Sequence, residues 1–147
     1  MPITPQGYYT LLLKTFRGEG VKIIHRKLNG AGGLYCPVKD LVTISSEYKE
    51  TLEGCYYLCH ERSHWQQARY NEFPEFFKMK AKQPFNEEIF EQIIDAEMDA
   101  VKRANVMLKM FGIPFSPPEL TKEGFKNAKE FWKKHYFKKK DKTNEKR

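Results

Sequence analysis

Cysteine is scarce in this chain: Cys36, Cys55 and Cys59 make three, an odd number among 147 residues. No disulfide framework is expected from such a set, and reduced thiols acting as small core residues are. Long apolar runs are missing too. The opening MPITPQGYYTLLLKTFRGEG has no basic n-region, only three consecutive leucines and two early prolines. It reads neither as a secretory signal nor as a membrane span, so a cytoplasmic location without a membrane partner is expected. Net charge is absent from most of the chain. Residues 1–120 hold 15 Lys+Arg against 15 Asp+Glu, whereas residues 121–147 hold 11 against 4 and so carry the whole net charge of +7. A pI of about 9.2 therefore does not describe a nucleic-acid-binding body; it describes a neutral body with a basic end.

What is present suffices for a core. With 40% hydrophobic and 14% aromatic residues, one globular unit is expected. Thr4 before Pro5 reads as an N-cap with proline in the first turn of a helix that Gly18 and Gly20 interrupt. Val21–Leu28 is short and β-branched, Asn29-Gly30 marks a turn, and LYCPVKDLVTIS offers two further strands around Pro37 to Asp40. A small, mostly antiparallel sheet follows from that reading. Ser45 or Ser46 is expected to cap a long helix from Glu47 to about Tyr70. Asn86, followed by Glu87 and Glu88, should open a second long helix that closes at Phe111-Gly112. Ser116-Pro117-Pro118-Glu119 has the form of a capping box before a last helix. The order of helix, strands and three more helices predicts an α+β domain.

Inside the first long helix stands CHERSHWQQ, Cys59 to Gln67. Each helical residue advances about 100°, so His64 lies about 40° from His60 and both imidazoles can address one metal ion. Glu61, about 100° away, can approach water activated at that ion without joining its ligands. Two neutral nitrogens and a neighbouring carboxylate are the equipment of zinc-assisted hydrolysis. A shuffled chain of this composition would contain the pattern about 0.01 times. Cys55 and Cys59 point away, at about −140° and −100° from His60, so a structural Cys/Cys/His/His zinc knot cannot close on this helix.

A catalytic zinc needs a third protein ligand. The next long helix has an apolar stripe of Phe90, Ile94, Val101, Ala104, Leu108 and Phe111, and Glu97 fills the position left between Ile94 and Val101. An ionised acid on that stripe requires a cation or a metal; the rival reading is a glutamate reaching solvent near a loosely packed helix end. Gln67 and Glu53 lie near the histidine face and could orient an imidazole, with solvent exposure the expected fate of both. Tyr57 and Tyr70 are transition-state donor candidates by residue type only, with aromatic packing the expected role of each. His25 and His135 are not expected to be ligands.

LCHERSHWQQ, followed by IIDAEMDAVKRANVML, resembles gluzincin-type metallopeptidase domains, in particular the small zincin-like domains of bacterial, phage and mobile-element proteins that include the ImmA/IrrE group. AGGLYCPVKDLVTIS is similar to their sheet hairpin, and the resemblance covers about residues 20–112. It implies a zincin-like fold, an intracellular zinc-dependent metallopeptidase acting on a protein or peptide substrate, His60, His64 and Glu97 as Zn²⁺ ligands, and Glu61 as general base. Arg62 departs from the pattern, where an uncharged residue is usual; about 200° from the metal side, it must find solvent or an acidic partner. The alternative is a zincin-shaped interaction or nucleic-acid-binding protein in which metal is structural or absent.

Three segments follow: a metallopeptidase-like domain over 1–120, a basic aromatic helix over 121–137 packed on it, and a disordered basic tail over 138–147. In the second, Phe125, Ala128 and Trp132 share helical spacing, so the aromatic side should dock while lysines face water. Residues 121–147 are also the expected contact for nucleic acid or another anionic surface, against a purely solubilising role.

Overall fold

A computed structural model describes residues 3–79 and 82–138. Among them the chain is α+β, with α1 (Pro5–Gly18), β1 (Lys22–Arg26), β2 (Gly33–Cys36), β3 (Leu41–Ser45), α2 (Leu52–Arg69), α3 (Pro74–Lys78), α4 (Glu87–Met110) and α5 (Lys122–Tyr136). The expected disordered segment falls outside the described residues apart from Lys138, whose N–H donates to Gln83 O at 2.7 Å. No described helix is long and apolar enough to cross a membrane.

Thr4 caps α1 through Gly7 N, with Pro5 at its start. Asn86 caps α4 through Ile89 N, and Glu87 and Glu88 occupy its first turn, where carboxylates suit the positive end of the helix dipole. Two caps differ from expectation. Ser45 makes no side-chain cap; Ser46–Tyr48 forms one 3₁₀ turn, Lys49 is extended, and α2 begins only after Thr51, whose hydroxyl accepts from Gly54 N. Likewise, Pro118–Leu120 is a short 3₁₀ turn, and Thr121 rather than Ser116 caps α5.

The sheet is mixed rather than mostly antiparallel. Its order is β1-β3-β2, with β1 parallel to β3 from the Lys22–Leu41 pair to Arg26–Ser45, and β2 antiparallel to β3 from Gly33–Ile44 to Cys36–Leu41. β3 takes the centre because it is the strand with most to bury: Val42, Thr43, Ile44 and Ser45 are all covered. β2 is left at an edge.

α2 packs against α1, α4, β2 and β3, which is why so many of its polar residues are enclosed. On one side Tyr9, Leu12 and Phe16 of α1 join Ile23, Val42, Ile44, Leu58 and Leu108 in the main core. On the other, Ile93, Trp132 and Phe137 form a second core with Phe76, Phe125 and Ala128, so the aromatic side of α5 does dock on the body. Arg62 is turned to α1, where its guanidinium donates twice to Glu19 and once to Gln66, and sits 5.7 Å from the Phe16 ring centre. It thereby clamps α1 to α2 on the side away from the histidines.

Candidate functional site

His60 and His64 stand one turn apart on α2, ring centres 4.8 Å apart and nearly perpendicular. Glu97 of α4 comes between them: its Oε1 lies 3.0 Å from His60 Nε2 and 2.6 Å from His64 Nε2. The structure therefore brings together the two histidines and the glutamate singled out by helical spacing. Glu61 joins them, with one carboxylate oxygen and one nitrogen of each imidazole all within 4.8 Å of one another. All four side chains are buried, Glu97 and His64 to 5% exposure. Four ionisable groups at one covered point are unstable unless their charges compensate.

The compensation is specific. Burial raises the pKa of Glu97, but the facing His64 and His60 outweigh it and hold the carboxyl well below the usual carboxylate range. For His64, burial favours the neutral ring, yet Glu97 and Glu61 push it up to about 9. With protein groups alone, the facing carboxylates favour a protonated His64 that donates to Glu97. Glu61 is different: burial raises its pKa above the ordinary value against the lowering pull of His60 and His64. A carboxylate in that condition accepts a proton readily.

Each central residue has an outer partner. Tyr136, near the end of α5, donates its hydroxyl hydrogen to Glu97 Oε2 at 2.8 Å; burial and then Glu97 raise its pKa well above the ordinary value, so it stays a neutral donor. Behind His64, Gln67 Oε1 lies 2.8 Å from Nδ1. Behind His60, Tyr56 Oη lies 3.4 Å from Nδ1 and gives its own hydrogen to Glu119. Such outer contacts orient imidazole ligands in metal sites.

The group opens into a cleft of about 840 Å³. One wall is the segment Gly30–Tyr35, leading into and along the edge strand β2; another is α5, through Phe131, His135 and Tyr136; Phe76 and Phe77 of α3 close the end beside His64. Close approach of β2 to α2 requires glycine. A Cβ on Gly32 would fall 2.2 Å from the Tyr57 ring, and one on Gly33 would fall 3.0 Å from Glu61 Cγ.

Two imidazole nitrogens and a carboxylate oxygen are a donor set for a divalent ion. Donors on a tetrahedral ion at about 2.0–2.1 Å stand about 3.3 Å apart. Glu97 Oε1 is closer than that to both Nε2 atoms, at hydrogen-bond distances that would have to lengthen by roughly 0.3–0.7 Å for the carboxylate to share an ion with either ring. The residues present suit the group.

Several expectations shift. Gln67 is fully buried rather than solvated, while Glu53 is exposed. Tyr70 is 70% exposed and carries nothing at the site; Tyr57 lies on the cleft wall. Tyr56, Tyr136 and Glu119 escaped the sequence reading. Tyr56 could have been found four residues before His60, on the same helical face, and Tyr136 by carrying the Phe125, Ala128, Trp132 stripe one turn further. His25 lies apart, bonded to Tyr9 Oη at 2.6 Å, whereas His135 lines the cleft without approaching the two imidazoles within ligand range.

No family model, curated protein or solved structure matches the chain.

Proposed function

We propose that the protein is a zinc-dependent metallopeptidase with a zincin-like fold, in which His60, His64 and Glu97 hold the ion and Glu61 is the general base. The observation that carries this reading is the placement of Glu97 Oε1 against both Nε2 atoms, from a helix separate in sequence. When bound, the ion supplies Lewis acidity to a scissile carbonyl and to the attacking water. Glu61 accepts the proton of that water and returns it to the leaving amine nitrogen, a task suited to a buried carboxylate of raised pKa. Tyr136 keeps Glu97 Oε2 engaged so that Oε1 is the oxygen presented to the ion. The edge of β2 beside the cleft supports an extended protein or peptide substrate, which can add as a further strand.

The test is metal analysis of the untagged protein together with peptide hydrolysis. About one equivalent of zinc is expected, lost in His60→Ala and Glu97→Ala. Glu61→Gln should keep the metal and lose about 10²–10⁴-fold in hydrolysis. A parent free of zinc, or a His60→Ala variant with unchanged zinc, would end the reading.

An anionic partner is a second, compatible reading. Lys122, Lys126 and Lys133 are exposed on α5, and Lys129 shares their spacing, while Ala128, Trp132 and Tyr136 face the body. A cationic row of this kind suits a nucleic acid or another polyanion.

A further inference from the structure

A glutamine side chain can offer a ring nitrogen either its oxygen or its NH₂, and the two choices impose opposite tautomers on a neutral histidine. At Gln67 the choice is made by its surroundings. Its Nε2 lies 3.0 Å from Ala96 O and 2.9 Å from Asp99 Oδ2. A backbone carbonyl and a carboxylate only accept, so the NH₂ must face them and both its hydrogens are used. The oxygen is left to face His64 Nδ1 at 2.8 Å, and the hydrogen of that contact has to come from the ring.

We propose that Gln67 is a positioning residue that fixes His64 with its hydrogen on Nδ1, leaving the Nε2 lone pair for a metal ion; this rests on the metallopeptidase reading above. Gln67 is fully buried, so water cannot substitute for it. Its anchor is anchored in turn. Arg103 Nε donates to Asp99 Oδ2 at 2.7 Å, and the same guanidinium reaches Glu72. A chain of polar contacts therefore runs from Glu72, just beyond α2, through Arg103 and Asp99 on α4 and back to Gln67 and His64. The counterpart at His60 is looser: Tyr56 Oη is 3.4 Å from Nδ1, at the outer limit of a hydrogen bond.

The experiment compares zinc affinity, by competition with a chromophoric chelator, in the parent and Gln67→Leu. Near-ultraviolet circular dichroism checks that each variant is folded. Removing an outer contact of this kind costs about 10–100-fold in metal affinity, so that is the loss expected for Gln67→Leu. In parallel, long-range proton–nitrogen correlation NMR of the zinc-loaded parent should show His64 with a protonated Nδ1. A Gln67→Leu variant with parental affinity, or an unprotonated His64 Nδ1, would each overturn the proposal. If His64→Ala still removes zinc in those cases, the metallopeptidase reading stands and only the role of Gln67 falls. A His64→Ala variant with parental zinc would remove both.

Discussion

Replacing Glu97 by glutamine keeps its shape and removes its charge, which isolates the electrostatic centre of the site. Glu97 accepts from His60, His64 and Tyr136 while 5% exposed. Breaking a buried pair by neutralising one partner costs about 3–5 kcal/mol. Glu61, whose pKa is raised chiefly by burial and in smaller part by Glu97, recovers part of that when the Glu97 charge is gone, so the lower end is expected. At about 2–4 °C per kcal/mol for a chain of this size, about 3 kcal/mol should lower melting in the presence of chelator by about 6–12 °C. The pH dependence has a definite sign. His64 rises from an ordinary 6.5 to about 9, so its contribution is full below pH 6.5 and is lost as pH climbs through about 9. Glu97 is depressed from an ordinary 4.5, so its contribution is present above that pH and is lost only in strong acid. The gap between parent and Glu97→Gln should therefore be widest between pH 4.5 and 6.5 and close above about pH 9. Melting curves across that range check it. A gap under about 2 °C at pH 6, or one unchanged to pH 10, would refute the pairing.

Three other outcomes are expected. Arg62→Met should lower melting by about 2–8 °C, from roughly 1–2 kcal/mol of lost pairing and ring contact, and leave zinc content untouched; loss of zinc would mean that Arg62 acts on the site. Gly32→Ala forces a methyl group into the Tyr57 ring and should cost about 1–3 kcal/mol in denaturant titration, with hydrolysis falling more than zinc content. Substituting Lys122, Lys126 and Lys133 together by glutamine should flatten the salt dependence of binding to a heparin column, and an unchanged elution position would exclude this face as the polyanion contact.

Much of the site was legible because it depends on helical spacing alone. His60 and His64 share a face wherever the helix begins, and Glu97 interrupts an apolar stripe that can be counted. Caps with one clear candidate, Thr4 and Asn86, were legible for the same local reason. The start of α2 was not: Ser45, Ser46 and Thr51 are all capping types, and the decision comes from Lys49 in extended conformation and Glu50 at a φ of 65°, which no glycine or proline announces. Strand pairing was less legible still. Alternation reveals a strand but not its neighbour, and the parallel partnership of β1 with β3 is set by what β3 has to bury. Gln67 was misjudged because a polar residue on a helix reads as solvated; only the enclosure of α2 on several sides, with Ala96 O and Asp99 waiting as acceptors, makes its burial tolerable.

The hydroxyl of Tyr136 belongs to a residue 39 positions after Glu97. A ribosome adding about 5–20 residues per second takes about 2–8 s to make that stretch. For that interval a nascent chain already owns both histidines and the acid that receives them, yet lacks the donor that holds the acid's second oxygen. Completion of the centre is thus delayed until α5 has been translated.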